Sequence, residues 1–262
     1  MDTDIDRAAE LADELASWAA AQMLARPRSL ATKVHPADIV TDADERIEEY
    51  VRARIAEVFP GHGVVGEEAA ATLAAPGLPT WYVDPVDGTT NFASGLGWSS
   101  FSLALADDAG PLLGLVADPY RNEVFTGRRG AGARLNGAAI RCTARASLDG
   151  NVVLTEWNSH RPWPGAFEMI EALADRYCTV RVMGSSALSL ANLAAGRAVA
   201  VVLGSYHPVD CMAGALIAAE AGALLDTSRP ATGGVLAAAP GAAADQLAAI
   251  LPAADEPRPA RG

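Results

Sequence analysis

Apolar residues recur at helical spacing over residues 4–25, where Ile5, Ala8, Leu11, Ala12, Leu15, Ala19 and Met23 share a face and Asp6, Glu10 and Glu14 occupy others. The pattern predicts an amphipathic helix. Residues 26–35 carry Arg26, Arg28 and Lys33 without periodicity and read as loop, with Pro36 following. Thr41 opens a second helical pattern over residues 43–58, with Glu45 placed to complete a capping arrangement and Pro60-Gly61 to stop the helix.

From Val64 onward the period shortens to apolar runs divided by turns. Val64-Val65 and residues 81–83, 101–106, 112–117 and 123–126 read as strands. Residues 107–110 form a turn between two of them, and 127–132 a glycine-rich connection. Beyond residue 150 strands at 152–154, 178–182, 198–203 and 224–225 alternate with helices at 166–176, 186–196 and 211–221. That alternation is the pattern of a layered α/β unit. Trp81 and Tyr82 read as core, and the Pro- and Ala-rich tail after Pro252 reads as frayed.

Half of the 262 residues are hydrophobic and 20% are charged, which is globular composition for one large domain or two closely fused halves. Acidic side chains outnumber basic ones 32 to 20, a net charge of −12. Such a balance excludes nucleic acid, whose phosphates need clustered Lys and Arg. A phosphorylated small molecule stays open, because a cation supplies the missing positive charge. Cys142, Cys178 and Cys211 are scattered and form no C-x-x-C pair, which predicts reduced thiols and a cytoplasmic protein. The first residues are acidic where a signal peptide is basic. No uninterrupted apolar run reaches the roughly 18 residues of a membrane span.

Three groups of acids stand out: Asp38, Asp42 and Asp44; Glu67-Glu68 after Gly66; and Asp84-Pro-Val-Asp87-Gly88-Thr89-Thr90 directly after an apolar strand. Two carboxylates converging at a strand end repel unless a proton or cation lies between them. Hard cations such as Mg²⁺ take such oxygen ligands, together with water and substrate phosphate. Asp87 also stands where it caps a helix starting at Gly88, leaving the amides of Gly88 and Thr89 free for an anion. The plainer reading is that Asp-Gly is a common turn pair and Glu67-Glu68 a solvated one.

Taken together the residues resemble the inositol monophosphatase superfamily of Mg²⁺-dependent, lithium-sensitive phosphatases. The resemblance is carried by Lys33-x-x-Pro36-x-Asp38-x-Val-Thr41-x-x-Asp44, Gly66-Glu67-Glu68, residues 81–92, and Asp210-x-x-Ala213-Gly214 leading to Glu220-Ala221-Gly222. It implies a layered αβαβα sandwich of the inositol monophosphatase and fructose-1,6-bisphosphatase type, built as a homodimer. Residues 1–148 would form an α+β half with most metal ligands and 149–252 an α/β half supplying Asp210, with 253–262 a disordered tail. It further implies two to three Mg²⁺ ions per subunit. Glu67, Asp84 and the Val86 carbonyl would hold one, Asp84, Asp87 and Asp210 a second, and Glu67 a weaker third. Thr89 and Asp44 match the pair that activates water, with Glu67 beside them, and Gly88 and Thr89 would grip phosphate. Lys33, Asp38 and Thr41 would support the loop. Ser159, Arg181, Ser186 and His207 are substrate-contact candidates by position, while His35, His62 and His160 read as plain loop residues.

The expected activity is hydrolysis of a phosphorylated small polyol, whether cyclitol, sugar or nucleoside phosphate. A 3′(2′),5′-bisphosphate nucleotidase and a non-catalytic sugar-phosphate sensor are the competing readings. Thr90-Asn91-Phe92 favours the inositol and sugar side, since the nucleotidase branch tends to carry Lys after Asp-Gly-Thr. Val209, Val199 and Val201 depart from the family pattern, and Leu203 stands where inositol phosphatases place a Glu that accepts ring hydroxyls. Leu203 is therefore expected to make a cavity wall apolar and to disfavour myo-inositol 1-phosphate.

Overall fold

The computed structural model describes residues 2–143, 147–157, 161–229, 234–238 and 241–251. Helix α1 (Asp2–Leu24) buries Ala8, Leu11, Leu15, Ala19 and Met23, the stripe that its periodicity predicts. Strands β1 (Leu30–Thr32) and β2 (Ile39–Thr41) form an antiparallel pair where the sequence reads loop. Every residue of β1 is exposed, so no alternation betrays it. Thr41 then caps α2 (Asp42–Val58). Asp44, rather than the expected Glu45, closes the capping box by accepting the Thr41 amide at 3.0 Å. A cap of this kind contributes about 0.5–2 kcal/mol.

Seven strands follow in one sheet, arranged in chain order: β3 (Gly63–Gly66), β4 (Thr80–Asp87), then β5 (Ser100–Asp107), β6 (Gly110–Asp118), β7 (Glu123–Arg128), β8 (Gly132–Leu135) and β9 (Ala138–Ile140). Only β3 and β4 run parallel; the rest is an antiparallel meander, interrupted after β4 by the short helix α3 (Thr89–Ser94). The supposed glycine-rich connection at 127–132 is thus the end of β7, a tight turn, and the start of β8.

The second half supplies β10 (Val152–Thr155), α4 (Ala166–Ala174), β11 (Thr179–Val182), α5 (Ser186–Ala194), β12 (Ala200–Leu203), α6 (Pro208–Glu220), β13 (Leu224–Arg229), β14 (Gly234–Ala238) and α7 (Ala242–Ile250). Its five strands lie in the order β11-β10-β12-β14-β13, with β10 parallel to both neighbours and β14 antiparallel to β12 and β13. Neither β14 nor α7 was expected from the sequence.

Period-two alternation on the strands sorts side chains into layers. On β5, Phe101, Leu103 and Leu105 face α1 and α2, while Ala104 faces α5 and α6. On β12, Val201 and Leu203 face that same central helix pair, while Ala200 and Val202 face α4 and α7. The layers run helix, sheet, helix, sheet, helix, as expected.

Helix α6 lies unusually close to the first sheet. Gly114 and Gly127 are cross-strand partners on β6 and β7. A Cβ at Gly114 would stand 2.7 Å from the Ala213 carbonyl oxygen, and one at Gly127 would stand 2.9 Å from Ile217 Cα. At the other end of the helix Glu220 accepts the amides of Gly130 and Gly132, each at 2.8 Å, and pins α6 to the β7–β8 turn. Among the described residues no helix is long and apolar enough to cross a membrane.

Candidate active site

A cavity of about 570 Å³ opens between the β1–β2 hairpin, the start of α3 and the turn entering α5. That volume suits a small-molecule ligand. His35, Asp38 and Ile39 line it from the hairpin, Glu67 and residues 87–91 from the first sheet, and Glu156, Trp157 and residues 182–186 from the second half. His35, set aside on sequence as a plain loop residue, therefore faces the cavity. His62 accepts the Trp81 indole N–H at 3.1 Å, and Trp81 is fully buried.

The spacing of Asp84 and Asp87 has a structural cause. Residues three apart on a regular strand point to opposite faces. Here Asp84 pairs with Ser102 and Asp87 with Ser100, so β4 carries one residue more than β5 over this stretch. The bulge, with Pro85 inside it where no ladder donor is needed, turns both carboxylates to the same face. Burial raises the pKa of Asp84 well above the usual range, and the charges of Glu67, Asp87, Asp210 and Asp44 push it further. Asp87 is pushed up to about 7 by burial and by Asp210. Asp210, in the first turn of α6, is pushed up to about 7 by burial and by Glu67. Among the described residues no basic side chain forms a salt bridge with Asp84, Asp87 or Asp210.

Asp87 does not cap the helix that follows it. The N-cap of α3 is Gly88, at φ 94°, without a side-chain cap. A Cβ there would lie 2.6 Å from the Gly184 carbonyl oxygen, so two backbones meet at this point. The Asp87 carboxylate instead accepts from Ser185 Oγ at 2.5 Å, the Ala187 amide at 2.7 Å and the Ser186 amide at 3.3 Å. It takes up first-turn amides of α5, a helix of the other half whose N-cap is Ser185, and so joins the two halves across the cavity.

Asp44 is fully buried. One oxygen accepts the Thr41 amide and hydroxyl, and the other faces Thr89 Oγ1 at 3.4 Å. The Thr89 hydroxyl itself donates to the Val86 carbonyl at 3.0 Å. Burial pushes Asp44 up to about 6 against the pull of the Thr41 hydrogen bonds. Lys33 reaches Glu68 at 2.7 Å and Glu67 at 3.3 Å, while Asp38 ties the hairpin by accepting the Val34 amide. Glu68 is pushed up to about 7 by burial, despite the Lys33 hydrogen bond.

Glu67 is carried by a loop that Glu48 holds. The buried Glu48 carboxylate accepts the amides of Glu68 at 2.7 Å and Ala69 at 3.0 Å, and Arg52 braces it at 2.8 Å. A Cβ on Gly66 would collide with that carboxylate. Gly66→Ala should therefore lower stability by about 1–3 kcal/mol in urea unfolding. An unchanged midpoint and slope would mean that Glu48 does not hold the loop.

The donors are all oxygens: Asp84 feels the charges of Glu67, Asp87 and Asp210, Asp87 that of Asp210, and Asp210 that of Glu67, which fits a hard divalent cation. Among the described residues no three such side chains are already gathered as a finished ligand group, and Lys33 shares Glu67.

Other expected residues lie elsewhere. Arg181 is exposed on the edge strand β11, its guanidinium on the Val180 carbonyl and not in the cavity lining. His207 is an exposed N-cap whose carbonyl accepts the Asp210 and Cys211 amides, and it too is outside the lining. Ser186 lines the cavity, and Ser159 and His160 fall outside the described residues, as does the tail at 252–262. Leu203 corrects an expectation: it is 3% exposed and packs in the core against α5 and α6, as does Val201, while Val199 is buried on the opposite side. No wall of the cavity is made by them. Val209 only offers its carbonyl to Ser102 Oγ at 3.4 Å. Sequence reasoning passed over Glu156, Trp157 and Ser185, which carry no motif of their own.

The sequence model of the inositol monophosphatase family matches residues 2–256. The Nus factor SuhB of Pasteurella multocida (strain Pm70) is 37% identical over 190 residues, covering 72% of this chain and 71% of that one. Inositol monophosphatase 2 of Homo sapiens is 35% identical over 214 residues, covering 78% and 74%. The crystal structure of the extragenic suppressor protein suhB from Bartonella henselae superposes with a TM-score of 0.83 at 25% identity, covering 93% of this chain and 98% of that one.

Proposed function

Because the chain belongs to the inositol monophosphatase family, whose members hydrolyse phosphomonoesters, we propose that it is a Mg²⁺-dependent phosphatase of small phosphorylated polyols. Cyclitol, sugar and nucleoside phosphates are the candidate substrates, and myo-inositol 1-phosphate is not singled out among them. The observation that carries the reading is the β4 bulge, which turns Asp84 and Asp87 to one face within range of Asp210's charge.

Glu67, Asp84 and the Val86 carbonyl would hold one ion, Asp84, Asp87 and Asp210 a second, and Glu67 a weaker third. Residues 1–148 would thus provide most ligands and residues 149–252 Asp210. Bound Mg²⁺ neutralises phosphate oxygens and acidifies water. Thr89 Oγ1, already between Val86 O and Asp44, orients the attacking water, and Asp44 accepts its proton. Glu67 assists from the same side, while Lys33 competes with the ion for its carboxylate. The amides of Gly88 and Thr89 hold the phosphate at the start of α3, which leaves the alcohol facing Ser186 and Trp157. We assign the protein to the cytoplasm as a homodimer.

The test is turnover of a panel of cyclitol, sugar and nucleoside monophosphates with Mg²⁺. At least one should be hydrolysed, and millimolar Li⁺ should inhibit. Failure of every member of the panel in saturating Mg²⁺ would remove the reading.

A further inference from the structure

Glu156 follows the last residue of β10 and takes no part in the scheme above. It is only 5% exposed, yet it reaches the cavity lining. One of its oxygens accepts Ser189 Oγ at 2.6 Å, a turn into α5, and the other accepts the Gly184 amide. The next groups along the chain, Ser185 Oγ and the Ser186 and Ala187 amides, go to Asp87. Asn91 adds a third tie by donating to the Met183 carbonyl at 2.7 Å. The turn at 183–187 is therefore clamped by carboxylates from the two halves, and residues 184–186 form part of the second-half wall of the cavity.

We propose that Glu156 is a positioning residue, fixing the 184–186 turn as the wall against which the alcohol part of the substrate lies. The substrate side of this rests on the phosphatase reading; the holding of the turn does not. The requirement at residue 156 is a side chain that satisfies both a backbone N–H and a serine hydroxyl. Gln meets it, because its oxygen accepts from Gly184 while its NH₂ donates to Ser189 Oγ, which is equally an acceptor. Met has similar length and meets neither.

Two measurements on Glu156→Met and Glu156→Gln decide it. In the metal-free protein, amide hydrogen exchange at 184–187 should quicken about tenfold or more in the Met variant, with α1 and α2 unchanged. With Mg²⁺ and the best substrate of the panel, KM should rise about tenfold while kcat stays within about threefold. Inhibition by inorganic phosphate, which lacks the alcohol, should not move. Gln should restore both exchange and KM. Should the Met variant not fold, Ser189→Ala, which removes one anchor, should shift both readouts in the same direction. Unchanged exchange, a fall in kcat at constant KM, or a Gln variant as impaired as Met would each overturn the proposal. If wild type hydrolyses nothing, the phosphatase reading falls alone and the exchange data still settle whether Glu156 holds the turn.

Discussion

Asp87→Asn is expected to lower kcat/KM by at least about a hundredfold in saturating Mg²⁺ while the layered fold stays intact. Loss of an outer partner of a metal ligand costs about 10–100-fold, so loss of a ligand's own charge belongs at or beyond the upper end. The fold survives because the amide keeps most of the hold on the first turn of α5. With its oxygen in the place of Oδ2 it still accepts both the Ala187 amide and the Ser185 hydroxyl, which share that one oxygen. Only the longer contact to the Ser186 amide is left without an acceptor. Steady-state kinetics alongside circular dichroism and a thermal midpoint separate the two effects. Turnover close to wild type would remove Asp87 from the metal site.

Chelation of Mg²⁺ should abolish turnover altogether and expose a second effect in the melting curve. Asp87 and Asp210 have folded-state pKa values of about 7, and burial holds Asp84 high as well. In the unfolded chain an aspartate titrates near about 3.9. Between about pH 4 and pH 7 the folded metal-free protein therefore binds more protons than the unfolded one, and its stability falls as pH rises. Above that window Asp87 and Asp210 are ionised in both states, and their mutual repulsion stays in full. A cation relieves it only where the ligands have lost their protons. Added Mg²⁺ should accordingly raise the thermal midpoint more at pH 8 than at pH 6. An equal or larger rise at pH 6 would show that these carboxylates are not what the ion meets.

Periodicity made the helices α1 and α2 legible, because each buries one stripe of an otherwise polar surface. The central strands were legible as apolar runs, yet β1 was not, since it buries nothing. The acid motifs pointed to residues that the structure does bring near one cavity, Glu67, Asp87, Gly88 and Thr89 among them. What the motif could not express is direction. D-P-V-D reads as two acids and a turn; only the partner strand shows the extra residue that swings both to one face. Asp87 was expected to cap its own helix, but its acceptors' partners lie about 100 positions downstream. Leu203 was read as a cavity wall from its distance to Asp210, whereas strand alternation sends it into the core. Glu156 was invisible because its importance comes from two donors on a later helix and the turn before it.

The backbone contact between α6 and the glycine pair at 114 and 127 bears on how this protein tolerates genetic change. Asp210 is borne on the first turn of that helix, so its place is set by how near the helix axis comes to the sheet. A side chain at Gly114 would meet only the backbone of Ala213, and one at Gly127 the backbone and Cγ1 of Ile217, so the helix would have to yield outward and carry the carboxylate with it. A deep mutational scan scored on activity would then rank two residues that never touch the cavity alongside the acids themselves. Scored on abundance as well, the same scan would separate the two kinds of intolerance: the glycines would lose protein and activity together, and Asp210 activity alone.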